Sequence, residues 1–202
     1  MIKNYGISNL KIFGLEDSIK ASKYPMSTDV SKCTNEITNT TIKLGNVPTG
    51  TGHDNFLKGI IVQFDLTFTP KMSVELERYH FIDFVSSQST MHKITKFDLN
   101  KSYISYVDKR CINVMKELIN EYNNLSEPAT EEEINYKKDL YLKILYTNPC
   151  GMLLTARLTT NYQQLKTIYQ QRRKHKLPEW QDFCDEIEKL PNFKELCIDN
   201  FV

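Results

Sequence analysis

Glycine and proline are scarce in this chain, with 7 of each in 202 residues. That excludes collagen-like and low-complexity architectures, which depend on those residues. Charge of one sign is also missing. The 26 basic and 25 acidic residues leave a formal charge of +1, so nothing global favours duplex DNA, which calls for a strongly basic face. No apolar run reaches the roughly 18 residues that a membrane-spanning helix needs. The five cysteines, Cys33, Cys111, Cys150, Cys184 and Cys197, include no Cys-x-x-Cys pair and are odd in number. A zinc site and a disulfide framework are therefore not expected, and a reducing compartment is the simpler reading. Lys3, Asn4, Asn9 and Lys11 interrupt the apolar positions of the first fifteen residues, which is not a signal-peptide pattern. The expectation is a soluble, cytoplasmic protein.

Apolar residues make up 40% of the chain and charged residues 25%, enough for a packed core and against long disorder. Length suits a single domain over 1–202. Lys, Asn, Ile and Tyr are abundant, a flavour of AT-rich genomes that include phages of low-GC bacteria (a host cytoplasm in that case).

The clearest element is IIVQFDLTF at 60–68. Val62, Phe64, Leu66 and Phe68 alternate with polar residues, which predicts a strand with one buried face. Pro70 ends it, and Met72, Leu76 and Tyr79 suggest a helix from Lys71 to about Val85. A second helix is expected over 101–124, with Ile104, Val107, Cys111, Met115 and Leu118 on one side. Thr130 followed by Glu133 is a capping-box pattern that opens a third helix. Residues 152–159 read as a second strand. Thr160 is the expected cap of a helix reaching about Lys174, with Leu165, Ile168 and Arg172 on one face. Trp180, Phe183, Cys184, Ile187 and Leu190 form a last amphipathic helix. The stretch 27–41 reads as irregular and GNVPTGTG at 45–52 as a loop. The class is α+β, with long helices packed on a small mixed or antiparallel sheet.

Three segments carry candidate chemistry. RYHFIDFVSSQSTMHK at 78–93 concentrates hydrogen-bond donors and cations: Arg78, His80, Ser86, Ser87, Gln88, Ser89, Thr90, His92 and Lys93. A helix end followed by a Ser/Thr-rich loop can wrap an anion, with Arg78 and Lys93 balancing a phosphate; a solvated loop is the alternative. His53 follows a glycine loop and precedes a strand, a place held more often by a loop residue than by a catalyst. Residues 172–176 read RRKHK at a helix end. Cations there complement the helix dipole, or grip nucleic acid, phosphate or protein as a basic adaptor. Arg172 shares the apolar face, so it points inward and needs an anionic partner. The four histidines have no metal-ligand spacing, so no metal is expected. Cys150 before Gly151 reads as a turn residue. No Walker loop and no GxGxxG is present.

In this order the pieces resemble the flavin-dependent thymidylate synthases, also called thymidylate synthase complementing proteins, over about residues 15–190. The residues that carry the likeness are Gly52-His53 with Phe56 before the strand, Pro70, and Arg78-Tyr79-His80 leading into Ser86-Ser87-Gln88-Ser89-Thr90-Met91-His92-Lys93. A late helix opening at Asn161, with Arg172 eleven residues on and Glu179-Trp180-Gln181 behind it, completes the set. DSIKASKY near Ala21 is similar to an early helix of that family.

The resemblance implies a thymidylate synthase complementing protein-like fold, a homotetramer with sites between subunits, and reductive methylation of dUMP. FAD would be the cofactor, with NADPH and methylenetetrahydrofolate as co-substrates. It places His53, Arg78, His80 and Asn161 at the flavin. Ser86, Gln88 and Arg172 would stand at the reacting pyrimidine, and Ser87, Ser89, Lys93 and Arg172 at the nucleotide. No protein nucleophile is needed in such chemistry, which rests on positioning and charge. The chain departs from the family pattern in its signature. Of Arg-His-Arg only Arg78 is retained, Gln88-Ser89 replaces Asn-Glu, Met91 replaces a serine, Lys93 replaces an arginine, and Thr167 stands where an asparagine is common. Lysine lacks the bidentate fork. A non-catalytic nucleotide-binding relative, able to sequester a nucleotide, is the alternative reading.

Overall fold

The computed structural model describes residues 4–198. Its centre is a four-stranded antiparallel sheet in the order β1-β2-β4-β3. The strands are β1 (Gly6–Phe13), β2 (Ile61–Phe68), β3 (Asp83–Ser87) and β4 (Leu154–Asn161). The alternation in β2 behaves as its sequence predicts: Val62, Phe64, Leu66 and Phe68 are all buried. They face the same way as Ala156, Leu158 and Thr160, which lie across from Leu66, Phe64 and Val62 in the register. The opposite face is polar and half-exposed, where Arg157 bridges to Asp65 at 3.2 Å and donates to the backbone carbonyl of Asn9.

Three helices cover the apolar face: α7 (Tyr162–Arg172), α8 (Pro178–Ile187) and α9 (Phe193–Cys197). Leu165 and Ile168 from α7, Trp180, Phe183 and Ile187 from α8, and Phe193 and Leu196 from α9 join the sheet residues in one core. Phe183 sits between Phe64 and Trp180, with ring centroids 5.9 and 5.7 Å away. Each such side chain contributes roughly 1.5–3 kcal/mol by leaving water. A second apolar cluster joins α5 (Lys109–Asn124) and α6 (Glu131–Thr147) through Met115, Leu118, Ile119, Leu140 and Ile144. Shorter helices fill the connections: α1 (Leu15–Ala21), α2 (Asn39–Gly45), α3 (Pro70–Leu76) and α4 (Thr90–Lys93).

The capping box at Thr130 and Glu133 opens α6 as expected. Other expectations are corrected. The helix after Pro70 stops at Leu76, because Arg78 and Tyr79 donate to the carbonyls of Glu75 and Leu76 and tighten the last turn. Residues 83–87 then pair with β4 as an edge strand, a contact with residues 156–159 that overrides local helical spacing. Residues 101–108 are not helical either. Their backbone is committed to the 151–153 turn: Leu153 N–H donates to Ser102 O, Ile104 N–H donates to Gly151 O, and Tyr103 bridges Met152. Asp108 then caps α5. The cap of α7 is Asn161, not Thr160, whose hydroxyl donates instead to Phe81 O at 2.7 Å. The stretch 27–41 holds a short 3-10 turn and the start of α2. Strand β1, unforeseen, has its alternation broken by a bulge between Ser8 and Lys11, where Asn9 takes φ 47°.

Helix α7 buries Tyr162, Gln164, Leu165, Lys166 and Ile168, and one of these five is charged. Lys166 is fully buried. Its ammonium donates to Gly45 O at 2.8 Å, Val47 O at 2.5 Å and Asp54 Oδ2 at 3.0 Å. Asp54, also fully buried, accepts a second bond from Gln163 at 2.8 Å. All three ammonium donors are thereby matched, which is the condition for tolerating a charge in the interior. Lys166→Met is expected to strand the Asp54 carboxylate and to cost about 3–5 kcal/mol. Urea unfolding of the variant against the parent measures it.

Candidate functional site

Helix α7 gathers the loops that carry the expected site residues. Lys166 and Gln163 hold Asp54 and so fix the end of the 45–54 loop, next to Gly52 (φ 83°) and the exposed His53. Gln164 accepts from Phe81 N–H at 3.2 Å, and Thr160 donates to Phe81 O, which anchors the 77–82 turn. Arg78 and His80 are exposed on that turn. Asn161 has its side-chain oxygen committed to the cap of α7, accepting from Gln164 N–H at 2.9 Å.

The second half of the signature segment lies elsewhere. Ser86 and Ser87 are exposed in β3. Gln88 is fixed to β4 on both sides, donating its N–H to Thr155 O at 3.0 Å and accepting from Thr155 N–H at 2.9 Å. Gln88, Ser89 and Lys93 line a groove of about 400 Å³ together with Lys96, Phe97 and Asp98. Two lysines thus line one groove with a hydroxyl and an amide, a donor set suited to a phosphate, beside the Asp98 carboxylate and the Phe97 ring. Lys96 was missed by sequence reasoning. It lies in a 3-10 turn at 94–96 that follows α4 directly, and only that turn brings it beside Lys93. Along β4, Thr155 and Asn161 are six residues apart, about 20 Å in a strand. Gln88 is therefore at one end of β4 and Asn161 at the other, so one chain does not enclose His53, Asn161, Gln88 and Lys93 around a single small ligand.

Arg172 points inward as its spacing predicts, but its partner is in the protein. Its guanidinium meets Glu75 Oε2 at 2.7 Å and donates from Nε to the Tyr79 hydroxyl at 2.7 Å. The Arg172 side chain is 15% exposed. His175 Nε2 lies 3.1 Å from the same Glu75 oxygen, and Trp180 Nε1 donates to it at 3.1 Å. His175 Nδ1 accepts from Leu177 N–H at 3.2 Å, which fixes the ring with Nε2 on the Glu75 side. Sequence reasoning passed over Glu75, whose place one turn before Arg78 gave no sign of three nitrogen groups arriving from α7, α8 and the loop between them. The remaining basic residues divide: Arg173 is paired with Asp185 and Glu188, while Lys174 and Lys176 are exposed.

Just below this cluster, Glu179 accepts from Thr69 N–H at 2.8 Å and Thr69 Oγ1 at 3.0 Å, tying the start of α8 to the start of α3. Burial raises the Glu179 carboxyl above its ordinary 4.5, against those hydrogen bonds. Among the described residues no group of histidines, cysteines and carboxylates has the arrangement of a metal site, and no helix is long and apolar enough to cross a membrane.

No protein-family model and no curated protein matches the chain. Solved structures do. A flavin-dependent thymidylate synthase ThyX from Helicobacter pylori, complexed with FAD and dUMP, superposes with a TM-score of 0.67 at 15% identity, covering 95% of this chain and 99% of that one. A second structure of ThyX from that organism with FAD and dUMP gives 0.66 at 15% identity, over 96% and 97%. The likeness spans nearly the whole of both chains and establishes a common fold.

Two outcomes follow from this geometry. Arg172→Ala leaves the half-buried Glu75 carboxylate without its main partner and is expected to lower stability by about 2 kcal/mol, read by urea unfolding. Glu179 holds a proton in the folded state at pH values where the unfolded chain has lost it. Its contribution therefore favours the fold below about pH 4.5 and is lost as pH rises towards its elevated folded value. Relative to Glu179→Gln, the parent should lose stability across that window, measured as the pH dependence of the unfolding midpoint in both.

Proposed function

We propose that this protein binds dUMP or a related pyrimidine nucleotide and acts on it as a flavin-dependent thymidylate synthase-like enzyme. FAD would be the cofactor, with NADPH and methylenetetrahydrofolate as co-substrates. The observation that carries the reading is the groove of Gln88, Ser89, Lys93 and Lys96, set on a fold shared along its length with proteins seen bound to FAD and dUMP.

In this reading the nucleotide phosphate lies between the Lys93 and Lys96 ammoniums. Ser86, Ser87 and Ser89 offer hydroxyls along the same edge, and Gln88, immobilised on β4, presents its remaining amide donors at a fixed angle. His53, Arg78 and His80 fit the flavin diphosphate in charge and exposure. Asn161 keeps its amide nitrogen for the same ligand while its oxygen caps α7. FAD, when bound, supplies the reducing equivalents for the methyl group. Because the flavin-side and phosphate-side residues stand at opposite ends of β4, a complete site is formed between copies of the chain, in a homotetramer.

One observation favours a second reading, a nucleotide-binding relative without catalysis: Arg172 is neutralised by Glu75 rather than free for a ligand.

Two measurements separate the readings. Calorimetric titration with dUMP should show binding that Lys93→Glu combined with Lys96→Glu weakens at least about a hundredfold, since two like-charge contacts are introduced at once. Absence of dUMP binding by the folded parent defeats both readings. An absorbance spectrum from 300 to 550 nm with FAD and dUMP added shows bound-flavin bands in the first reading. A colourless protein that binds dUMP supports the second.

A further inference from the structure

A guanidinium, an imidazole and an indole N–H gathered around one oxygen form an oxyanion receptor. Around Glu75 Oε2, the Arg172 guanidinium stands at ion-pair distance, 2.7 Å, His175 Nε2 lies at 3.1 Å, and the Trp180 indole N–H donates at 3.1 Å. The walls are aromatic: the guanidinium carbon lies 5.2 Å from the Trp180 ring centre and 5.6 Å from that of Tyr79. The Tyr79 hydroxyl, itself donating to Gln171, holds the guanidinium from behind. The receptor is built by Arg172 of α7, Trp180 of α8 and His175 in the loop between them, whereas the carboxylate that fills it comes from α3.

We propose that the Arg172–His175–Trp180 cluster is a socket for a small oxyanion, a phosphate or a carboxylate, and that Glu75 is its resident occupant. Glu75 then determines specificity. While it fills the socket, an external anion meets a negative charge instead of Arg172, so a nucleotide phosphate is directed to the Lys93–Lys96 groove. The inference relies on the nucleotide reading only in naming the ligand that is turned away; the socket stands on its own contacts.

Trp180 is the single tryptophan of the chain, and its indole N–H donates to the Glu75 oxygen that fills the socket. Its emission therefore reports on the socket directly. In Glu75→Ala the donors lose their partner, and titration with inorganic phosphate or acetate should give a saturable change in Trp180 emission. The apparent affinity should be at least about tenfold tighter than in the parent, equivalent to about 1.4 kcal/mol. Combining Glu75→Ala with Arg172→Met should abolish the response. Glu75→Gln, which keeps the side-chain volume and removes only the charge, serves if the alanine variant does not fold, and should respond to phosphate at higher concentration. A variant with parental circular dichroism and no saturable response to either anion overturns the proposal, as does a parent that responds as tightly as its variants. Lys93→Glu distinguishes this result from the nucleotide reading: it should weaken dUMP binding to the parent and leave the Trp180 response of Glu75→Ala intact.

Discussion

An ammonium with no exposure to water holds the 45–54 loop in place. Lys166 closes a tripod of two carbonyls and the Asp54 carboxylate, and it does so from the middle of α7, in the helix layer that covers the sheet. Removing either charge would strand the other in a low-dielectric interior, where an unpaired ion costs several kcal/mol. The tripod ties both ends of the 45–54 loop to one helix. The C-terminal region closes over the same place. Asn46 donates to Glu195 O at 2.7 Å, and a Cβ at Gly45 would fall 2.3 Å from Leu196 O, so only glycine permits α2 and α9 to approach so closely. The loop that carries His53, the helix that carries Arg172 and the end of the chain are thus parts of one arrangement.

Elements with strong local signals were legible in the sequence. The period-two alternation of β2, the capping box of α6 and the apolar stripe around Trp180 each specify their own structure. The α+β class and a small sheet follow from them; that the sheet is wholly antiparallel, with β1 and β3 at its edges, does not. The errors occur where distant contacts decide. Residues 83–87 are spaced well enough for a helix but become the edge strand because β4 offers pairing partners. Residues 101–108 are apolar enough for a helix but commit their backbone to the 151–153 turn.

The same distinction governs the site. Arg172 was recognisably inward-facing from its spacing with Leu165 and Ile168, yet its partner came from α3, about a hundred positions away. Lys96 looked like an ordinary surface lysine until the turn after α4 set it beside Lys93. Glu75 and Asp54 carried no motif at all. Pairing of charges across the fold is a property of packing, and a single sequence does not display it. The outcome is a division of labour between cations: Lys166 and Arg172 are satisfied internally, while Lys93 and Lys96 remain facing a groove.

The most direct test is a crystal structure of the protein soaked with dUMP, read for the position of the phosphate. The account predicts phosphate density within hydrogen-bonding distance of the Lys93 and Lys96 ammoniums, with the Glu75–Arg172 pair intact. A phosphate seated on Arg172 with Glu75 displaced, or a groove that stays empty while the nucleotide binds elsewhere, would contradict it.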